Sequence, residues 1–282
     1  MQWKGNTMVW KCPVCKNENI YGRKCINCGF DETRDYAAYP TVIPLEIQEK
    51  TEYERKVFPW EQLYRKGIEC LKTGEFEDAE MYLRQAAEMG VAEAQTVMGA
   101  LLYGGAQENQ KRAAGWFKKA AEQEVPEAEY YFARCCEKGE GVPKDLVLAV
   151  KYMRKAADHG WIPGIIACGD YYYHGVGVAI NRGIAADYYR RGAQMGSTRA
   201  KCKLGCCYFH GEGTELDLGT AAYWFWQAAN EDDCEAQALI GMCFEFGYGV
   251  KKNLKEAEKW YSLAAEKGDE ASRERMRKLG KS

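Results

Sequence analysis

The sequence predicts an all-α chain: a solenoid of about six helical-hairpin repeats behind a small metal-binding module. Three observations carry this. Small-residue pairs recur at Ala86-Ala87, Ala120-Ala121, Ala156-Ala157, Gly192-Ala193, Ala228-Ala229 and Ala264-Ala265, at steps of 34, 36, 36, 36 and 36 residues. Glycine pairs keep the same step at Gly139/Gly141, Gly175/Gly177, Gly211/Gly213 and Gly247/Gly249. Two registered series of this period are the signature of a repeat architecture. The third observation is a pair of Cys-x-x-Cys clusters near the amino terminus.

Those clusters define the first element, residues 1–35. Cys12, Cys15, Cys25 and Cys28 form two knuckles, and each offers two thiolates from one tight turn. Two such turns complete a tetrahedral zinc shell at about 2.3 Å. The spacing resembles the short zinc-ribbon family, in which Gly29 follows the second knuckle. Four protein ligands close the coordination sphere, so the expected cofactor is one structural zinc ion without a position for substrate. The module holds six basic and four acidic residues, with Trp10 and Tyr21 among the basic ones. Zinc with four thiolates carries about −2 and cancels that excess. A protein partner is therefore favoured there over nucleic acid. Residues 36–60 carry Pro40, Pro44 and Pro59 and read as a linker.

From residue 61 each unit reads as two helices around a glycine loop. Apolar residues at i, i+4, i+7 and i+8 give the first helix one buried face, as in Ala200, Leu204, Cys207, Tyr208 and Ala236, Ile240, Cys243, Phe244. The first loop glycine suits a left-handed helix end. Asn109, Asp145, Asn181, Asp217 and Asn253 each precede a repeat alanine by four residues and are read as caps of the second helix. A large pair follows each cap: Trp116-Phe117, Tyr152-Met153, Tyr188-Tyr189, Trp224-Phe225 and Trp260-Tyr261. The small pair at the helix end lets neighbours approach closely. The first unit, with Gly67, Gly74, Phe76, Ala79 and Ala86, lacks the long loop. The second has a loop two residues shorter around Gly104-Gly105, and the fifth places Thr214 where valine recurs.

These motifs resemble the Sel-one-like repeat, a 36-residue relative of the tetratricopeptide repeat, over residues 61–268. The resemblance implies a right-handed superhelix whose ends need caps, and residues 269–282, with Arg273, Arg275, Arg277 and Lys278, suit a charged capping helix. It also implies a non-enzymatic scaffold or adaptor that assembles one or more protein partners. A few cysteine-rich relatives are linked to β-lactam binding or hydrolysis, but this chain has no Ser-x-x-Lys motif for a β-lactamase-like hydrolase. The alternative from another class is a nucleic-acid-binding protein acting through the zinc ribbon.

Composition narrows these readings. With 39 basic and 41 acidic residues the net charge is −2, too balanced to point to nucleic acid or membrane. No signal-peptide pattern and no run of roughly 18 apolar residues is present, so a cytoplasmic protein is expected. The nine cysteines beyond the ribbon are an odd number, read as thiols. His159 closes a helix, whereas His174 and His210 recur one repeat apart without a third ligand, and all three read as structural. No phosphate loop, His-Glu-x-x-His or Gly-x-Ser-x-Gly motif occurs.

Comparing the repeats with one another separates packing positions from variable ones. On the first helices the varying stripe comprises Tyr130/Arg134/Glu137, Ile166/Asp170/Tyr173, Cys202/Cys206/Phe209 and Ala238/Met242/Glu245. In the resembled solenoids the first helices line the concave side, which makes Tyr130, Arg134, Asp170, Tyr173, Phe209 and Met242 candidate partner-binding residues. A sharper departure is Tyr223 and Trp226, where other repeats hold Lys151 and Arg154 or Asp187 and Arg190. At i, i+3 spacing the two share a helix face, expected to be exposed and to anchor a partner.

Overall fold

A computed structural model describes residues 2–4, 7–11, 18–19 and 59–279, with side chains described from residue 60 onward. The chain divides into two units, residues 1–56 and 57–282. In the first, the described strands β1 (Gln2–Lys4), β2 (Thr7–Lys11) and β3 (Glu18–Asn19) are antiparallel and lie in that order. Trp3 faces Met8 in the first pair and Trp10 faces Asn19 in the second. The predicted zinc ligands Cys12, Cys15, Cys25 and Cys28 lie outside the described residues, as does most of the expected linker.

The described part of the second unit is helical throughout, with thirteen helices. Six hairpins pair α1 (Pro59–Thr73) with α2 (Phe76–Glu88), α3 (Ala92–Leu102) with α4 (Gln107–Glu122), and α5 (Pro126–Lys138) with α6 (Leu146–Asp158). They continue with α7 (Ile162–His174) and α8 (Arg182–Gln194), α9 (Thr198–His210) and α10 (Leu218–Asn230), and α11 (Cys234–Phe246) and α12 (Leu254–Glu266). The last helix, α13 (Glu270–Leu279), lies within the segment expected to cap the stack. Each helix packs against its neighbours in sequence, which makes this unit a linear solenoid.

Local chemistry sets the helix ends. Gly139, Gly175, Gly211 and Gly247 end the first helices of repeats three to six in left-handed conformation, with φ between +66° and +80°. Their N–H groups donate to carbonyls four residues back, as Gly139 does to Cys135 at 2.8 Å. Asp145, Asn181, Asp217 and Asn253 cap α6, α8, α10 and α12 through their side-chain oxygens. The same residues close the loop from the other side. Asp145 N–H donates to Cys136 O, Asn181 to Tyr172, Asp217 to Tyr208 and Asn253 to Phe244, all at 2.8–2.9 Å. Asn109 departs from this pattern. The shorter loop of repeat two starts α4 at Gln107, so Asn109 lies within its first turn and Ala106 is the cap, without a side-chain bond.

Two rules of size build the core. The second member of each large pair is buried, as in Phe117, Met153, Tyr189, Phe225 and Tyr261. Beneath each lies a small residue of the first helix. A Cβ added at Gly99, Gly169, Gly205 or Gly241 would come within 2.4–2.9 Å of the ring above it. Repeat three exchanges both partners together: Ala133 replaces the glycine, and flexible Met153 replaces the ring. The second rule joins neighbouring repeats. Gly141, Gly177, Gly213 and Gly249 press against the first turn of the preceding repeat's second helix, and a Cβ on Gly249 would meet Leu218 O at 1.9 Å. Only glycine lets two backbones approach so closely. The paired alanines are buried along the whole series, as expected for close helix contact.

The capping helix α13 is tied to the sixth repeat by polar contacts. Arg273 donates to the Ala265 carbonyl at 3.1 Å, and Arg275 reaches Glu245 at 3.4 Å. Among the described residues no helix is long and apolar enough to cross a membrane.

Candidate partner-binding surface

The stripe expected on the first helices is half-buried rather than open, because most of its members are engaged by the protein itself. On α5, Tyr130 meets the edge of Tyr131 at 5.3 Å, and Arg134 pairs with Glu137 at 3.2 Å. Asp170 on α7 accepts the Tyr189 hydroxyl at 2.7 Å and faces Arg199 of the next repeat at 3.8 Å. Burial and the adjacent Asp170 carboxylate both oppose a phenolate and push the Tyr189 pKa up. Tyr173 hydrogen-bonds Glu212, and the Arg182 guanidinium stacks 3.7 Å over its ring. Tyr173 is therefore a tie across the repeat boundary. Met242 is half-buried on α11.

Phe209 belongs to a group that repeat comparison alone did not reveal. Its ring lies edge-on to Tyr248 at 5.7 Å, and Tyr248 stacks with Phe246 at 5.5 Å. Arg275 sits 5.4 Å over Phe246. Phe246 and Tyr248 are exposed, so an aromatic ridge runs from the end of α9 to the loop after α11. The available signal was Tyr248 inside a glycine loop where other repeats place Glu140, Val176 or Glu212.

Tyr223 and Trp226 lie on α10, separate from the first-helix stripe. They are 53% and 46% exposed, while Trp224 is half-buried and Phe225 fully buried between them. Tyr223 meets Trp224 edge-on at 5.3 Å, and Asn230 donates to the Trp226 carbonyl at 2.8 Å. These contacts leave about half of each side chain of the anchor pair exposed. The predicted residues thus fall into two groups, an engaged stripe on first helices and an exposed pair on α10.

The histidines sit at helix ends. His174 and His210 pack against their preceding aromatics, Tyr173 and Phe209. His159 Nδ1 lies 2.8 Å from Oε2 of buried Glu129 on the neighbouring helix. The nine described cysteines are thiols, among them the core positions Cys135, Cys207 and Cys243. Burial pushes Cys135 and Cys243 up to about 12 and Cys207 to about 11, which leaves them protonated and unreactive at neutral pH.

Six consecutive matches to the Sel1 repeat cover residues 62–91, 92–125, 126–161, 163–197, 198–233 and 234–269, most of the chain. The chain belongs to the Sel1 repeat family. A Sel1 repeat protein from Oxalobacter formigenes is 30% identical over 74% of this chain and 87% of its own, with a TM-score of 0.69. A protective antigen of uropathogenic Escherichia coli strains is 28% identical over 77% of this chain, with a TM-score of 0.72. This chain spans 48% of that antigen's length. Sel1 repeat proteins in general act as protein-interaction scaffolds.

Proposed function

We propose that this protein is an adaptor that binds partner proteins through its solenoid surface, with Tyr223 and Trp226 as its anchor. One observation carries the reading: two large aromatic side chains are about half exposed on α10, where repeats three and four place charged residues. Each is about half exposed, so covering the pair removes about what one whole aromatic side chain buries, roughly 150–250 Å². At about 25 cal/mol per Å² the gross gain is several kcal/mol, the size of an interface hot spot. The ridge of Phe209, Phe246 and Tyr248, formed at the ends of first helices, offers a second apolar contact. A zinc ribbon built on Cys12, Cys15, Cys25 and Cys28 would supply a further docking point, and two linked contacts raise overall affinity without new chemistry. Thiols throughout the repeats fit a reducing, cytoplasmic setting.

The test is capture from an extract of the source cells by the intact chain and by a Tyr223→Lys/Trp226→Arg variant. Lysine and arginine occupy the equivalent positions of repeat three, so the variant keeps the fold. A partner lost or reduced at least tenfold supports the reading. Capture of the same proteins at equal yield ends it.

A further inference from the structure

The fifth repeat carries a second departure from its neighbours. Cys202 and Cys206 lie one turn apart on α9, so their thiols share a face. The equivalent positions elsewhere are Tyr130 and Arg134, Ile166 and Asp170, and Ala238 and Met242. Helix packing therefore demands cysteine at neither place. Cys202 is buried and Cys206 half-buried. From the next repeat, the first turn of α11 brings Glu235 to the same point. One ligand atom from each of the three lies within 4.8 Å of the others, the one such grouping of three among the described residues.

We propose that Cys202, Cys206 and Glu235 form a binding site for a thiophilic divalent cation of the zinc type, bridging repeats five and six. Two thiolates and a carboxylate are zinc ligands, with bonds of about 2.3 Å to sulfur and about 2.1 Å to oxygen. Around a tetrahedral ion such ligands sit about 3.5–3.8 Å apart, so closing the site takes about 1 Å of side-chain movement. Exposed Glu235 can supply it by rotation. Three anionic ligands around a divalent ion leave a net charge of −1. Lys203 lies near enough to offset it, whereas Asp233 and Glu235 are the acidic groups facing the thiols from α11. The Asp233 carboxylate is already committed to the Ala236 N–H at 2.8 Å. Three protein ligands leave one position free for water or for a side chain of a bound protein. The bound ion would fix α9 against α11 and so hold α10, which packs between them and bears Tyr223 and Trp226. The metal assignment stands apart from the adaptor reading, since it needs no partner.

Cobalt and zinc titrations of the full-length chain test it, after reduction with a phosphine and removal of metal. The comparison is between wild type, Cys202→Ala/Cys206→Ala and Glu235→Gln. Alanine already occupies the Cys202 position in repeat six, and Glu235 is exposed, so at least the glutamine variant keeps the fold. Wild type is expected to bind one more equivalent than the double alanine variant, with the matching loss of thiolate-to-cobalt absorption. Glu235→Gln is expected to weaken that equivalent by about tenfold or more. The difference is read against the same amino-terminal cysteines in every protein, so their occupancy cancels. Equal equivalents in wild type and the double variant, or unchanged affinity in Glu235→Gln, would overturn the site.

Discussion

Glu129 shows how one residue can oppose the repeat it sits in. The equivalent positions hold Gln95, Ile165, Lys201 and Gln237. Gln95 and Gln237 donate from Nε2 to carbonyls eight residues back, Ala87 at 3.0 Å and Ala229 at 3.3 Å. Glu129 is fully buried, and its Oε1 finds no partner. An ionised carboxylate cannot donate to the corresponding Ala121 carbonyl. Burial pushes its pKa above the ordinary carboxylate range, while the His159 contact pulls the other way and only in part. A folded-state pKa above the unfolded one means the native state prefers the protonated acid. That contribution is complete below the unfolded pKa and is lost as pH climbs through the folded value. Glu129→Gln keeps an acceptor for His159 and adds a donor for Ala121. It is expected to raise Tm at pH 7, by the equivalent of roughly 1 kcal/mol for one buried hydrogen bond. The gain should shrink towards pH 4, where Glu129 is itself protonated. Thermal melts of both proteins at pH 4, 5, 6 and 7 check this, and a gain independent of pH would contradict it. Such a pairing was not legible in the sequence, because Glu129 and His159 meet only once α5 and α6 close into a hairpin. Glu235 likewise reaches Cys202 and Cys206 only once successive hairpins stack.

The helices and turns, in contrast, were largely legible, because their ends depend on chemistry within a few residues. Gly139 and its equivalents were readable as left-handed ends and Asp145 and its equivalents as caps, since each acts on its own turn. Asn109 was misread because the period suggested a cap that the shortened loop of repeat two displaces. The second glycine of each loop carries the longest-range meaning. Gly249 takes φ +69°, and a Cβ there would strike the Leu218 backbone, so it sets the distance between repeats five and six. Gly268 also has positive φ, +102°, yet has nothing within 4 Å of an added Cβ. Alanine at the two positions should therefore separate strain from collision. Gly268→Ala is expected to cost about 1–2 kcal/mol of backbone strain. Gly249→Ala adds the clash between repeats and should cost about 3 kcal/mol or more. Urea unfolding of both variants measures the difference, and equal losses would show that the loop moves away freely.

At the scale of the whole repeat array, stability is expected to be distributed along a line rather than pooled in one core. Each helix packs mainly on the helices before and after it, so a repeat is sensitive to its neighbours and indifferent to distant ones. The end of such a stack is its weakest point unless something covers it, and α13 does so here. Ser272 is buried, Arg273 holds the Ala265 carbonyl of α12, and Arg275 reaches both Glu245 and the Phe246 ring of α11. Removing residues 270–282 takes away these bonds together and exposes the outer faces of α11 and α12. Glu245 keeps one partner, the Tyr261 hydroxyl at 2.7 Å, so the sixth repeat should loosen rather than unfold outright. The expected result is a fall of roughly 10–100-fold in amide protection across α11 and α12, equivalent to about 1.4–2.7 kcal/mol of local opening. Protection in α5 to α8 should be unchanged. Hydrogen exchange resolved along the chain distinguishes this from the opposite behaviour. An equal loss from α5 through α12 would mean that the repeats open as one cooperative body, against the nearest-neighbour energetics inferred from their packing.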